Sequence, residues 1–351
     1  IIKDTIIKDQ LKVLKGTIRV RKNLIFKDKV TIKPGTKFLI SKGVNIIFFN
    51  SVHALGTKDK PIIFQKMNDT YLDNNWGSIV VQGQKTKNSI FQNIIINGGS
   101  GGKIDQFIYT SMFSLHDTRD IVLKNISLND NKIYDDALHL VYCKNILLEN
   151  ILIKNAFSDA LDIDISDEIF IKKSIFLNPK NDSIDIMESR ILVDGTEIYN
   201  SGDKGISVGE NSNAIIHNTY LNSNNIGIAV KDNSIAKVVH TDFNNNIIQL
   251  ASYQKNYKYG NGGKINIFKS NFNSDVHKIE SDMKSNIIID DSTFNKKVNI
   301  KNSNIKITKK INFSGNKVTN NNFNLDTIDV MLTFVDVVKN KNLRGSDFTN
   351  K

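Results

Sequence analysis

The chain of 351 residues is long enough for a sizeable core in one or two domains. An apolar content of 40% and a charged content of 24% exclude a disordered chain, and no apolar run approaches the ~20 residues that a transmembrane helix needs. The net charge of +11 favours an anionic partner, although a charge excess that only keeps the protein soluble is the alternative. The single cysteine, Cys143, excludes an internal disulfide.

The N-terminal part of the chain is predicted to begin with a cap and to continue as strands. Residues 1–20 form the predicted cap segment, whose pattern fits either a short helix or a first strand. Alternating apolar residues run from Thr17 to Ile40, with a turn signal at Pro34-Gly35. The chain begins at Ile1 without a methionine and shows no signal peptide, so we expect a processed or partial chain.

A glycine-rich segment follows the first strands. Residues 97–102 contain four glycines but lack the Lys-Ser/Thr ending of a phosphate-binding P-loop. We predict a protruding loop here rather than a phosphate site.

A strand-like triplet recurs six times between residues 114 and 230. The steps between the central residues of successive triplets are 23, 23, 23, 22 and 22 residues. Because side chains alternate along a strand and a fixed period marks a stacked-repeat fold, we predict an all-β parallel solenoid over residues 21–320, with about 22 residues per coil and ten to twelve coils. The central residues should form one outward column: His116, His139, Asp162, Asp185, Ser207 and Ala229.

A second strand in each coil ends at or beside an asparagine. The positions are 155, 178, 200, 222 and 244. Asparagine tolerates the left-handed backbone conformation of a sharp corner, and stacked amides can hydrogen-bond from coil to coil. We interpret this series as a structural ladder.

One coil carries extra residues in the segment 252–264. Insertions in solenoids become loops, often on the binding side, and tyrosine with lysine suits the stacking of sugar rings and the pairing of anionic groups. The predicted substrate-binding residues are Lys231, Tyr253, Lys255, Tyr257, Lys258 and Tyr259. A solvated loop without a ligand is the alternative.

The C-terminal residues 321–351 are predicted to cap the solenoid. From residue 326 the apolar residues fit a helical stripe, which would cover unpaired strand edges. A last pair of strands is the alternative.

Residues 30–300 resemble the pectate-lyase-like superfamily of single-stranded right-handed parallel β-helices. The phrases that carry the resemblance are YDDALHLVY, SDALDIDISD, NDSIDIMESR and SGDKGISVGENS. More closely, the chain resembles the β-helix domains of bacterial surface proteins that can accompany spore-coat-type kinase domains. The resemblance implies a right-handed helix and a location that is extracellular, periplasmic or at the cell surface. It leaves the activity open, because the superfamily contains lyases, hydrolases, epimerases, tailspikes and non-catalytic adhesins.

Carboxylates are concentrated on three successive coils. Asp162, Asp164, Asp185 and Glu188 are predicted to bind Ca²⁺, because like charges so close together raise one another's pKa or require a cation. Resemblance to the pectate lyases, which bind uronates through Ca²⁺, points the same way. Four other aspartates precede apolar strands and are predicted to cap corners: Asp136, Asp159, Asp182 and Asp203.

An enzyme that eliminates or epimerises a uronate needs a base, an acid and a cation for the substrate carboxylate. The predicted catalytic residues are His116, His139, Asp162, Asp185, Lys204 and Arg190. A histidine would take the C5 proton, Lys204, Arg190 or Lys231 would pair with the carboxylate, and a tyrosine of the 252–264 loop would protonate the leaving oxygen. Two of the carboxylates could instead hydrolyse a glycosidic bond.

We therefore expect an extracytoplasmic protein that acts on an acidic polysaccharide as a lyase or a C5-epimerase. The alternative is a non-catalytic surface, filament or glycan-binding module. Nucleic acid is not expected as a partner, because base stacking needs exposed aromatic residues and only the 252–264 loop offers them. The oligomeric state stays open.

Overall fold

The computed structural model describes residues 11–67, 75–104, 106–275, 277–295, 298–301, 305–307 and 312–313. They wind into a right-handed parallel β-helix of about twelve coils, which confirms the predicted fold class. Each full coil gives one strand to a twelve-stranded sheet and its remaining strands to a twenty-three-stranded sheet. Paired residues of successive coils are 23 residues apart at Leu161 and Ile184, and 22 apart at Ile184 and Ile206.

The twelve-stranded sheet carries the predicted column. Its strands are Leu24–Phe26, Ile46–Phe48, Ile79–Gln82, Phe113–His116, Leu138–Val141, Leu161–Asp164, Ile184–Met187, Lys204–Gly209, Ile226–Lys231, Ile248–Tyr253, His277–Ser281 and Val298–Lys301.

The twenty-three-stranded sheet forms the rest of the wall. Its strands are Leu11–Leu14, Thr17–Val20, Lys29–Ile32, Lys37–Ile40, Val52–Leu55, Ile62–Lys66, Ile90–Asn97, Arg119–Asn129, Lys144–Lys154, Asp167–Lys172, Ile175–Leu177, Arg190–Asp194, Glu197–Tyr199, Asn213–His217, Tyr220–Asn222, Ile235–Val239, Asp242–Asn244, Lys264–Phe268, Asn271–Asn273, Asn286–Asp290, Thr293–Phe294, Ile305–Ile307 and Asn312–Phe313.

The core lies inside the coils because apolar residues alternate with polar ones along each strand. Leu138 and Leu140 are fully buried, whereas His139 between them points outward. Phe272 stacks between two other core phenylalanines, with ring centroids at 4.7 and 4.3 Å. These coil-to-coil contacts are what a solenoid uses in place of a globular centre.

The asparagine ladder is confirmed at its first three members. Asn178 donates to Asn155 at 3.2 Å and Asn200 to Asn178 at 2.9 Å, and all three have positive φ. The ladder then shifts by one residue, since Asn222 is aligned with Tyr199. The left-handed corner residue of that coil is Ser223.

The described part of the predicted N-terminal cap is already strand. Leu11–Leu14 and Thr17–Val20 pair in parallel with Lys29–Ile32 and Lys37–Ile40. Residues 1–10 and the predicted C-terminal cap at 321–351 lie outside the described residues. Among those described, no helix has the length and apolar character to cross a membrane.

The glycine-rich segment leads into a small antiparallel hairpin. Gly102–Ile104 pairs with Phe107–Tyr109, and Tyr109 packs against the outward side chains Ile47 and Val80 of the twelve-stranded sheet. Gly101 has φ +89°, and a Cβ there would lie 2.5 Å from the Tyr109 carbonyl oxygen. The glycines therefore let the hairpin fold back over the sheet. Two short 3₁₀ turns, Gln84–Thr86 and Tyr257–Tyr259, complete the described elements.

Candidate functional site

The outward face of the twelve-stranded sheet brings most of the predicted column into line. The aligned residues are Ser114, His139, Asp162, Asp185 and Ser207. The predicted place of His116 in this column is wrong by two residues, because His116 aligns with Val141. Ser114 and His139 are 25 residues apart rather than 23, and the extra residues lie in the turn before Leu138.

His116 nevertheless contacts His139 diagonally. The two imidazole rings meet edge to face with centroids 5.3 Å apart, and Tyr109 of the hairpin covers His116 at 5.1 Å. Burial, and then the charge of His139, lower the pKa of His116 to about 3. His116 is therefore a neutral ring under the hairpin rather than a base open to solvent.

An acidic centre surrounds His139. We define it as Asp136, His139, Asp162 and Asp164. His139 Nε2 lies 3.3 Å from Asp164 Oδ2 and 3.7 Å from Asp162 Oδ2. On the other side of the ring, Nδ1 is 3.4 Å from the hydroxyl of Thr110, which is 3.3 Å from Asp136 Oδ2.

Two carboxyls of the acidic centre have strongly raised pKa values. Burial, followed by the charge of Asp162, raises the pKa of Asp136 to about 10. Burial, followed by the charges of Asp164 and Asp185, raises the pKa of Asp162 to about 9. At neutral pH both groups hold protons unless a cation replaces them.

The four predicted corner caps divide into two kinds. Asp159 accepts the backbone N–H of Asp182 at 2.7 Å, and Asp182 accepts that of Lys204 at 2.8 Å, so these two are caps as predicted. Asp136 accepts from a hydroxyl, and Asp203 pairs with the Lys204 ammonium, so neither contact is a backbone cap.

A basic centre lies three to five coils beyond His139 along the same face. We define it as Lys204, Lys231 and Tyr253. Lys204 Nζ is 3.4 Å from Asp182 and also contacts Asp203, while Lys231 Nζ is 3.9 Å from Asp185. Burial lowers the pKa of both ammonium groups, but these carboxylates outweigh it and raise the pKa above its usual range.

The extended stem of Lys231 crosses a glycine to reach Asp185. A Cβ on Gly209 would lie 2.5 Å from Lys231 Cε, so the absence of a side chain there leaves room for the stem. Burial raises the pKa of the nearby Tyr253, which keeps its phenol protonated.

The segment 252–264, which we call the tyrosine loop, includes Tyr253 of the basic centre. Its start is held by Asp232, whose Oδ1 accepts the backbone N–H groups of Lys255 and Asn256, each at 2.7 Å. Tyr257 is 84% exposed, Lys258 lies over the ring of Tyr259, and the Tyr259 hydroxyl is 3.3 Å from Glu188. A cavity of about 310 Å³ adjoins this loop rather than the acidic centre, and its lining includes Tyr253, Glu280 and Asp282.

Two predicted groupings do not form: Arg190 with the column, and the four carboxylates predicted to bind Ca²⁺. Arg190 starts a strand of the twenty-three-stranded sheet, is 62% exposed and makes a bidentate contact with Asp167, so it lies away from the column.

Two clusters of the described residues have ligand atoms within 4.8 Å of one another: Asp136 with His139 and Asp162, and Asp135 with Asp136 and Asp159.

The predicted Ca²⁺ set is therefore not the set that converges. Neither cluster contains Asp164, Asp185 or Glu188. These three contact His139, Lys231 and Tyr259 respectively. Calcium binding by this set stays a prediction.

The two centres are too far apart to act on one bond. His139 and Tyr253 are separated by five coils, about 24 Å at about 4.8 Å per coil. Tyr253 therefore cannot protonate an oxygen beside His139. The arrangement suits a polymer that lies along the helix axis and contacts both centres.

The comparisons with known proteins agree with the fold. The family model "right handed beta helix region" matches residues 111–262. No curated protein matches the sequence.

Several solved structures share the architecture. The A-module of a mannuronan C-5 epimerase from Azotobacter vinelandii is similar over 88% of this chain and 91% of its own, at 12% identity and a TM-score of 0.57. The catalytic domain of an α-1,3-glucanase, solved with tetrasaccharides, is similar over 86% of this chain at 10% identity and a TM-score of 0.58. The Dettilon tailspike protein is similar over 86% of this chain at 12% identity and a TM-score of 0.50.

This chain spans 64% of the glucanase chain and 59% of the tailspike chain. At such low identity the likeness shows the fold alone.

Proposed function

We propose that this protein acts on an acidic polysaccharide bound along the outward face of the twelve-stranded sheet, with acid–base chemistry at the acidic centre. The observation that carries the proposal is His139 Nε2 at 3.7 Å from Asp162, whose pKa is raised to about 9. An imidazole beside a carboxyl that stays protonated at neutral pH is a base beside an acid.

The proposed reaction is β-elimination or C5 epimerisation of a uronate. In elimination, His139 removes the proton from C5 and Asp162, on the same side of the sugar, donates its proton to the leaving oxygen. This assigns to Asp162 the acid role that distance denies to Tyr253. In epimerisation, His139 removes the proton from C5 and a proton from water is delivered to the opposite face. The exposed Lys255 and Lys258 of the tyrosine loop would pair with carboxylates of neighbouring sugars, with the exposed Tyr257 as a stacking surface.

Three observations support a glycan as the substrate. The acidic centre lies on the outward face of a twelve-stranded sheet, whose regular repeat along the helix axis suits a long chain better than a small molecule. The net charge of +11 favours a polyanion. Proteins of the same fold include a mannuronan C-5 epimerase and an α-1,3-glucanase. A location outside the cytoplasm follows from a polysaccharide substrate and is part of the proposal.

The second candidate is a glycan-binding module without catalysis. It is favoured by the ion pairs of the basic centre. Because Lys204 and Lys231 already have carboxylate partners, neither offers its charge to the carboxylate of a reacting uronate. Such a protein would bind polymer without turnover.

The experiment that separates them is incubation with alginate, pectate and glycosaminoglycans. Unsaturated uronates are detected by ultraviolet absorbance and changed C5 configuration by NMR. We expect turnover that falls about 10²- to 10⁴-fold in His139→Ala and in Asp162→Asn. Asp130→Asn, an exposed corner carboxylate paired with Lys132, is the matched control and should keep full activity. Binding without turnover, unchanged in both site variants, would leave the module instead.

A further inference from the structure

The acidic centre contains a set of side chains with the composition of a metal site. Asp136 precedes the strand that holds His139, and Asp162 is aligned with His139 on the next coil. One ligand atom from each lies within 4.8 Å of the other two. The set differs from the Ca²⁺ set predicted from the sequence by including an imidazole nitrogen and the carboxylate of Asp136.

Asp136 supplies an independent sign that a ligand belongs here. It is only 2% exposed, and its Oδ1 is buried without a hydrogen-bond partner. Buried polar atoms are almost always satisfied, so an unpartnered oxygen on a carboxylate that belongs to this cluster requires an explanation. A bound cation would give that oxygen its partner.

The charge balance along the column points the same way. Asp182 and Asp185 have Lys204 and Lys231 within 3.9 Å. Asp162 lies one coil before Asp185, and Asp136 lies two coils before Asp182. Among the ion pairs of the described residues, neither Asp136 nor Asp162 contacts a lysine or an arginine. A buried carboxylate that lacks a compensating charge costs several kcal/mol. The two coils that hold Asp136 and Asp162 thus lack the cation that the following coil has.

The supporting contacts of a metal site are also present. Thr110 links His139 Nδ1, at 3.4 Å, to Asp136 Oδ2, at 3.3 Å. A hydrogen bond from Nδ1–H to this hydroxyl would direct the lone pair of Nε2 toward Asp162 and Asp164. Outer contacts of this kind fix the tautomer and orientation of histidine ligands.

We propose that Asp136, His139 and Asp162 bind one divalent cation of the class that accepts nitrogen and oxygen ligands, such as Zn²⁺, Mn²⁺ or Co²⁺. A hard ion such as Ca²⁺ prefers oxygen ligands alone and would gain little from the imidazole. Asp164, 3.3 Å from the same Nε2, is placed to serve as a fourth ligand.

The inference goes beyond the proposed function, and the two compete for one atom. His139 Nε2 cannot bind a metal and remove a proton at the same time. The cation is therefore expected to inhibit the proposed reaction rather than to assist it. Binding itself does not depend on any activity.

The test is calorimetric titration of the full chain, stripped with a chelator, with ZnCl₂, MnCl₂, CoCl₂ and CaCl₂ in the absence of glycan. We expect one equivalent of Zn²⁺ or Mn²⁺ to bind, at least tenfold weaker in Asp136→Asn and in His139→Ala. Asp130→Asn, at a corner carboxylate that pairs with Lys132 and belongs to neither cluster, is the matched control and should bind as the wild type does. Circular dichroism establishes that each variant is folded. If one of the two ligand variants, Asp136→Asn or His139→Ala, is not folded, His139→Gln is measured in its place.

Absence of stoichiometric binding to the wild type would overturn the inference. Equal affinity in the wild type and the two ligand variants would do the same, as would a preference for Ca²⁺ that His139→Ala leaves intact. A Co²⁺ absorption band that His139→Ala abolishes would identify the imidazole as a ligand. Because no glycan is present, a failure here is separate from a failure of the proposed activity.

Discussion

Lys204 is expected to stabilise the fold by neutralising one buried carboxylate. Its Nζ lies 3.4 Å from Asp182 Oδ1, and the two side chains are 12% and 3% exposed. Lys204→Met keeps the length of the stem and removes the charge. Breaking a buried ion pair from one side typically costs about 3–5 kcal/mol, because the remaining charge has no partner.

The cost should depend on pH in a defined direction. Burial raises the pKa of Asp182 to about 6, although Lys204 opposes the shift. The folded protein therefore holds this proton more tightly than the unfolded chain, so the stability contributed by protonated Asp182 is lost as the pH rises from about 4 through 6. Without Lys204 the pKa of Asp182 rises further, and the loss extends to higher pH. We expect Lys204→Met to cost about 3–5 kcal/mol at pH 7.5 and below about 1 kcal/mol at pH 4.

Urea unfolding followed by circular dichroism at both pH values measures these costs. The double variant Lys204→Met with Asp182→Asn should recover most of the loss at pH 7.5, since the asparagine keeps an acceptor for the Lys204 backbone N–H without a charge. A cost that is equal at both pH values, or a double variant no more stable than the single one, would refute this reasoning.

Three further outcomes test the description of the fold and the loop. Phe272→Ala should lower the free energy of unfolding by about 3–5 kcal/mol, because it removes a ring stacked on both sides in the core; a loss below about 1 kcal/mol in urea unfolding would contradict that packing. Asp232→Gly keeps the left-handed corner but removes the acceptor of two loop N–H groups, so limited proteolysis should cut the tyrosine loop faster than in the wild type, and equal rates would argue against the anchor. Asp167→Asn should change stability by less than about 1 kcal/mol and leave turnover unchanged, since it frees only the exposed Arg190 and Lys144, and a loss of activity would return Arg190 to the site.

The solenoid was predictable because every coil repeats the same physical requirement. Apolar residues such as Leu161 and Ile163 must face inward in each coil, and the 22- or 23-residue period follows directly from their recurrence. The first part of the asparagine ladder was predictable for a similar reason, because each sharp corner needs a residue that tolerates positive φ.

At His116 the equal spacing of the triplets and the burial of the strand predict different registers, and the structure follows burial. The triplet Leu115-His116-Asp117 fits the 23-residue step, but only one of its flanking residues is apolar. Phe113-Ser114-Leu115 has two apolar flanks, both fully buried in the structure, and that signal was present in the sequence. The two extra residues lie in a turn whose length differs between coils, so the repeat period does not indicate them.

The importance of Asp136 could not be derived from the sequence. Its position before an apolar strand is the same as that of Asp159 and Asp182, which do cap corners. Only the three-dimensional contacts show that Asp136 lacks such a backbone contact and instead faces His139 and Asp162.

The most direct test of the proposed chemistry is C5 proton exchange, since elimination and epimerisation of a uronate both begin with loss of that proton. Polymannuronate and polygalacturonate are incubated with the protein in D₂O, and the products are examined by NMR. The proposal predicts deuterium at C5 or unsaturated chain ends with the wild type, and neither with His139→Ala. Exchange that survives in His139→Ala, or cleavage that leaves the C5 protons in place, would contradict it.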